Sequence, residues 1–154
     1  MAKYIALIDW SLKDGEEFLA GRYSRGHSVS FDGGITIGAS SSPSVVPAPW
    51  SVAQAVDPEE MLVAALSSCH MLSFLHVARE AGWVVASYRD EAEGLMRKNG
   101  EGKVAVTKVA LRPYIVFNGN SPGTDELDAL HHAAHEACFI ASSVKTEVVV
   151  EKPV

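Results

Sequence analysis

The feature that most constrains this chain is a helix start. Asp57-Pro58-Glu59-Glu60 places an acceptor side chain, a proline and two carboxylates in the order that opens an α-helix. Aspartate accepts from the free backbone amides, and proline fits the first helical position, where its missing N–H would have had no partner. Acids in the first turn favour the helix dipole, and a glutamate there can reach back to the capping residue. The run that follows includes Met61, Leu62, Ala65, Leu66, Cys69, Leu72, Phe74, Leu75, Val77 and Ala78, and stops at Gly82. It is apolar on nearly every face, so the helix is expected to be central and buried, with the other elements built around it.

Those other elements are mostly strands. Residues 3–12 alternate as a strand does, and Lys13-Asp14-Gly15 supplies a turn. Residues 27–31 and 35–38 flank Asp32-Gly33-Gly34, a hairpin signal. Residues 40–51, rich in Ser and Pro, read as an extended surface loop. Residues 84–96 and 104–117 are two long β-rich runs joined through Lys98-Asn99-Gly100. Ser121-Pro122-Gly123-Thr124-Asp125 opens a second helix with Leu127, Leu130, Ala134, Cys138 and Ile140 on or near one side, and 144–151 is a terminal strand. Helices and strands do not alternate regularly, which predicts an α+β domain with antiparallel sheet rather than a doubly wound fold. There is no internal repeat and no linker between two cores. The reading is one domain over 1–154, with N-terminal strands and a loop in 1–55 and a helix-strand-strand-helix-strand part in 56–154.

Composition excludes some partners. The chain has 154 residues and a net charge of −6, without a Lys/Arg cluster, so nucleic acid is not the expected partner. The N-terminus is too short and too polar for a signal peptide, with Asp9 interrupting the apolar run. The densest apolar stretch, 61–78, contains His70, His76, Ser67, Ser68 and Ser73, so it is read as a buried helix rather than a membrane span. The expected location is the cytoplasm. In a reducing compartment two cysteines are more often free, metal-bound or redox-active than a structural disulfide.

Cys69 and Cys138 admit three readings on residues alone. Each can be a small buried hydrophobe, which is how free cysteine commonly behaves. They can be a peroxidatic thiolate and its resolving thiol, which requires a lowered pKa and a second sulfur close by. Metal binding is the third: His131, His135 and Cys138 share one face of the second helix, with His132 and His70 as further ligand types, although CxxC and HExxH signatures are absent. No GxGxxG follows a strand, so no flavin or nicotinamide cofactor is expected.

The stretch Asp57-Pro58-Glu59-Glu60-Met61-Leu62-Val63-Ala64-Ala65-Leu66-Ser67-Ser68-Cys69 resembles the first-cysteine signature of the OsmC/Ohr hydroperoxide reductases. Residues 106–111 resemble the strand that follows it in that family. Ala134-His135-Glu136-Ala137-Cys138-Phe139-Ile140-Ala141-Ser142-Ser143-Val144 resembles its second cysteine helix. The resemblance implies an OsmC-like fold, with antiparallel sheets packed around two central helices in an intertwined homodimer. It implies a thiol peroxidase acting on organic hydroperoxides: Cys69 becomes a sulfenic acid, Cys138 condenses with it, and a lipoyl-type dithiol reopens the disulfide. A non-catalytic or redox-sensing stress protein of the same fold is the alternative, and a thiol hydrolase or metal site using Cys69 with His70 is a third. Burial in an apolar helix raises a thiol pKa, so a cation is required beside Cys69. The family's arginine held by a glutamate maps here to Arg25, with Arg22 in reserve, and to Glu59. His70 departs from the family pattern; its side chain points about 100° away from that of Cys69 around the helix, and it is expected to be a core or interface histidine bonded to backbone.

Overall fold

The structure, a computed structural model, describes residues 1–151. The chain falls into two compact units, the first Met1–Met61 and the second from Leu62 onward.

The first unit is a three-stranded antiparallel sheet of β1 (Ala6–Asp9), β2 (His27–Phe31) and β3 (Thr36–Ala39), with β2 in the middle. The Asp32–Gly34 hairpin forms where the sequence places it: Gly34 takes a φ of +86°, open to glycine at little cost, and the Phe31 amide donates to Ile35 O at 2.9 Å. The first strand is only four residues long and exposed throughout, shorter than the alternating run 3–12 suggests. The loop from Ser40 returns along β3, where the Val56 amide donates to Gly38 O and the Ser40 amide to Val56 O. Ser40 and Ser51 at its ends are buried, so the loop is anchored rather than lying free on the surface.

The helix α1 (Pro58–Glu80) begins at the end of this unit. Its start is a reciprocal capping box: the Glu60 amide donates to Asp57 Oδ1 at 2.8 Å, and the Asp57 amide donates to Glu60 Oε2 at 3.0 Å.

In the second unit each long β run is divided between two sheets. The first run becomes β4 (Val85–Asp90) and β5 (Glu93–Lys98); the second becomes β6 (Val104–Leu111) and β7 (Pro113–Phe117). β4 pairs with β7 and β5 with β6, both antiparallel. The break falls at Asp90, whose carboxylate accepts the Arg112 amide at 2.6 Å and the Ser67 hydroxyl of α1, so a side chain stands where a ladder bond would continue. β8 (Glu147–Val150) joins β6 in parallel, the one parallel pair among the named strands described. α2 (Thr124–Glu136) completes the unit, ending earlier than the sequence suggests, so that Cys138 lies just beyond it.

The helix α1 buries one stripe, Leu66, His70, Phe74 and Ala78, spaced four apart as one helical face requires. Its lower part packs with Val109 and Leu111, its upper part with Leu130 and Ala134 of α2. The all-round burial expected for it does not occur within this chain: Ala64, Ala65 and Leu72 are exposed. By length and mean hydropathy, 1.6, α1 is also sufficient to cross a membrane, a stretch the sequence reading discounts for its polar residues. Two of those residues, Ser67 and His70, are bonded inside the second unit.

Candidate active site

Cys69 sits on α1 and is half-buried; Cys138 is buried in the turn after α2. That turn is built around the second sulfur. The Cys138 amide donates to His135 O at 3.1 Å, the Ala141 amide donates to Cys138 Sγ at 3.4 Å, and Cys138 O accepts from the Ser142 amide. A 3-10 turn, Ala141–Ser143, results. The two thiols, both free, lie near each other. Burial pushes the Cys138 thiol up, the neighbouring Cys69 pushes it further, and the Ala141 amide offsets part of the rise. Cys138 therefore keeps its proton.

Beside this pair lies a second buried polar contact. His70 Nε2 and His131 Nδ1 are 3.1 Å apart, with the rings nearly parallel at an 11° interplanar angle. Phe74 packs on His131, ring centroids 4.6 Å apart, and on Tyr88 at 5.8 Å. His70 is a core histidine as expected, but its partner is a side chain and not backbone. Burial and the nearby imidazoles of His131 and His135 push His70 down to about 4. Burial lowers His131 as well, opposed by Asp128 and Asp90. His70 Nδ1 and the Tyr88 hydroxyl are buried without partners, and burial raises the Tyr88 phenol. His131 is therefore turned to α1 rather than arrayed for a metal; among the described residues no three His, Cys, Asp or Glu side chains are placed to hold one.

The remaining residues singled out by sequence lie in the first unit. The Arg25 guanidinium donates to the carbonyls of Gly21 and Tyr23 and lies 3.7 Å over the Tyr23 ring. It does not bond Glu59, so the expected arginine–glutamate pair is not formed; Glu59 is half-buried and makes no salt bridge among the described residues. The loop's own carbonyls and aromatic ring outcompete it. Arg22 pairs with Glu17. Trp10, Phe18, Tyr23 and Arg25, together with His27, Ser41 and Pro58, line a largely aromatic cavity of about 470 Å³. The Phe18 and Tyr23 rings stack at 4.6 Å, and Trp10 Nε1 donates to Ser24 O.

Sequence reading missed the His70–His131 bond and the Asp90 junction. Both join residues far apart in the chain, and the only signal was a polar side chain on the buried stripe of α1.

The second unit thus defines a class: an α+β protein in which two free thiols, one on a helix and one just after another, lie near each other. A model of the OsmC-like protein family matches residues 51–152, and the chain belongs to the OsmC family. It is 54% identical, over 99% of each chain and with a TM-score of 0.95, to an OsmC-like protein of unknown function from Vibrio cholerae. It has the fold of the organic hydroperoxide resistance protein OsmC of Legionella pneumophila, at 18% identity, 100% and 98% coverage and a TM-score of 0.73. It also has the fold of the organic hydroperoxide resistance protein OhrB of Bacillus subtilis, at 17% identity, 99% and 97% coverage and a TM-score of 0.68. No curated protein matches the chain.

Proposed function

We propose that the chain is a dithiol-dependent peroxidase that reduces organic hydroperoxides. The observation that carries the reading is the asymmetric thiol pair: a half-buried Cys69 near a buried Cys138 that holds its proton. The Cys69 thiolate attacks the outer peroxide oxygen; the O–O bond breaks, the alkoxide leaves and is protonated to an alcohol, and Cys69 becomes a sulfenic acid. The Cys138 thiol then attacks that sulfur, forming the disulfide and releasing water. A lipoyl-type dithiol reduces the disulfide by exchange and is itself oxidised to a cyclic disulfide.

Arg25 is assigned as the cation that serves Cys69 and Glu59 as the residue that holds it, which requires the guanidinium to leave its own loop. The aromatic cavity bordered by Arg25 suits the organic part of a hydroperoxide. The whole of 1–154 is read as one OsmC-like domain working as a homodimer in the cytoplasm. A second copy of the chain would cover the exposed face of α1 at Leu72 and the apolar residues of β1, Leu7 and Ile8.

The test is steady-state consumption of cumene hydroperoxide with dihydrolipoamide as donor. Wild type turns over, Cys69→Ser does not, and stoichiometric peroxide removes both free thiols of wild type. Turnover that survives Cys69→Ser refutes the nucleophile. A redox sensor using the same disulfide is favoured by one observation, the engagement of Arg25 by its own loop; it predicts disulfide formation without turnover.

A further inference from the structure

Two imidazoles buried against each other are a costly way to fill a core. Non-directional packing of Phe74, Ala78, Leu130 and Ala134 already brings α1 and α2 together. A pair of apolar side chains in place of His70 and His131 would extend that packing and would leave no ring nitrogen such as His70 Nδ1 buried without a partner. What the pair adds is direction: a hydrogen bond has a narrow range of length and angle, where apolar contact tolerates sliding and rotation.

Its position in the fold gives that direction a use. His70 adjoins Cys69 on α1, so ring and sulfur turn with one rigid helix. His131 lies on α2, two turns before Cys138, and the turn carrying Cys138 is tied to the end of that helix. The Ala137 amide donates to Ala133 O and the Cys138 amide to His135 O, both at 3.1 Å. Phe74 on His131 and the near-parallel stack of the imidazoles fix both rings. The path from sulfur to sulfur therefore runs Cys69, α1, His70, His131, α2, Cys138, with one polar link across the helices.

We propose that the His70–His131 hydrogen bond is a positioning device for disulfide closure, setting the rotation of α1 against α2 so that the Cys138 thiol faces Cys69. Neither histidine touches the reacting sulfurs in this role; both act through the helices. The proposal deepens the peroxidase reading and rests on its cysteine pair forming a disulfide, but does not need peroxide to be the oxidant.

The full-length chain tests it in two assays. In the first, reduced protein is closed with diamide, a two-electron oxidant that takes both thiol hydrogens and becomes a hydrazine, and loss of free thiols is timed. In the second, one equivalent of cumene hydroperoxide is added, and mass spectrometry separates sulfenic acid formation from closure. His131→Leu should slow closure about tenfold or more in both assays, since small misplacement of reacting groups costs large factors in rate. It should change peroxide attack on Cys69 by less than about twofold, because attack needs only the first sulfur. His131→Asn, whose amide occupies the Nδ1 position, should restore closure. His131→Gln, whose amide reaches past that position, should not, and this variant keeps the test decisive where His131→Leu fails to fold. Closure at the wild-type rate in His131→Leu or His131→Gln, or equal slowing in His131→Asn, overturns the proposal. If wild type closes with diamide but consumes no peroxide, the peroxidase reading fails while the positioning role stands or falls on the variants alone.

Discussion

Acid should destabilise this protein through His70 before it reaches the carboxylates. The ring is 1% exposed, and burial with two neighbouring imidazoles holds it down to about 4, against an ordinary value of 6.5. Above pH 6.5 the ring is neutral whether the chain is folded or not. Between 6.5 and about 4 the unfolded chain takes up a proton that the folded chain refuses, so stability falls as pH falls. The full shift corresponds to roughly 3 kcal/mol, of which about 2 kcal/mol is already lost at pH 5. His131, lowered by the same burial, adds a loss of the same sign. Glu16 and Glu151, both lowered by hydrogen bonds and nearby cations, lose their contributions only as pH falls through the carboxylate range. The window from pH 7.5 to 5 therefore reports mainly on the imidazoles. Urea unfolding at fixed protein concentration, with the m-value checked for constancy, measures the loss. His70→Gln, which keeps an amide near Nε2 and cannot titrate, should flatten most of the slope. A wild-type stability unchanged from pH 7.5 to 5, or a His70→Gln slope equal to wild type, refutes the argument. So does a His70 proton titration by NMR near 6.5.

One further prediction follows from geometry and two from the proposed cycle. A Cβ on Gly94 of β5 would lie 2.6 Å from Val63 Cγ2 on α1, and a helical valine has one strongly preferred rotamer. Gly94→Ala should therefore cost about 1–3 kcal/mol by urea denaturation, and no loss would contradict the close approach of strand to helix. Under the proposed cycle, Cys138→Ser strands Cys69 as a sulfenic acid, and added peroxide should build up sulfinic acid by mass spectrometry; unaltered recycling would remove Cys138 from the cycle. Arg25→Ala should slow peroxide attack on Cys69 about tenfold or more, timed as loss of its free thiol, and an unchanged rate would shift the role to Arg22 or elsewhere.

What the sequence reveals here is what a few neighbouring residues decide. The box of Asp57 and Glu60, the Asp32–Gly34 hairpin and the turn at Asn99 need only local hydrogen bonds and permissive glycines, and each forms in place. The break in the long β runs was not readable, because it depends on the Asp90 carboxylate reaching Arg112 and Ser67 from distant parts of the chain. The early end of α2 was hidden for a similar reason: residues 137–140 remain apolar enough to continue a helix, and the Cys138 turn is set by bonds to Ala141 and Ser142. At the site, motif order selected both cysteines, but their contact is a property of the fold alone. The arginine was chosen by resemblance, and the loop that carries it holds it otherwise.

The two sulfurs differ by environment more than by chemistry, and that difference orders the proposed reaction. A thiol at 1% exposure, raised by burial and by the cysteine beside it, is a poor thiolate. Its half-buried partner is open to a substrate. Peroxide meeting the pair should oxidise the accessible sulfur first, and the raised pKa of Cys138 keeps it from competing for the same oxidant. Once Cys69 carries a hydroxyl, the nearby Cys138 is the thiol placed to close on it. The demand that remains is orientation, which falls on the elements carrying the two sulfurs, and the one polar side-chain bond described between α1 and α2 is that of His70 to His131.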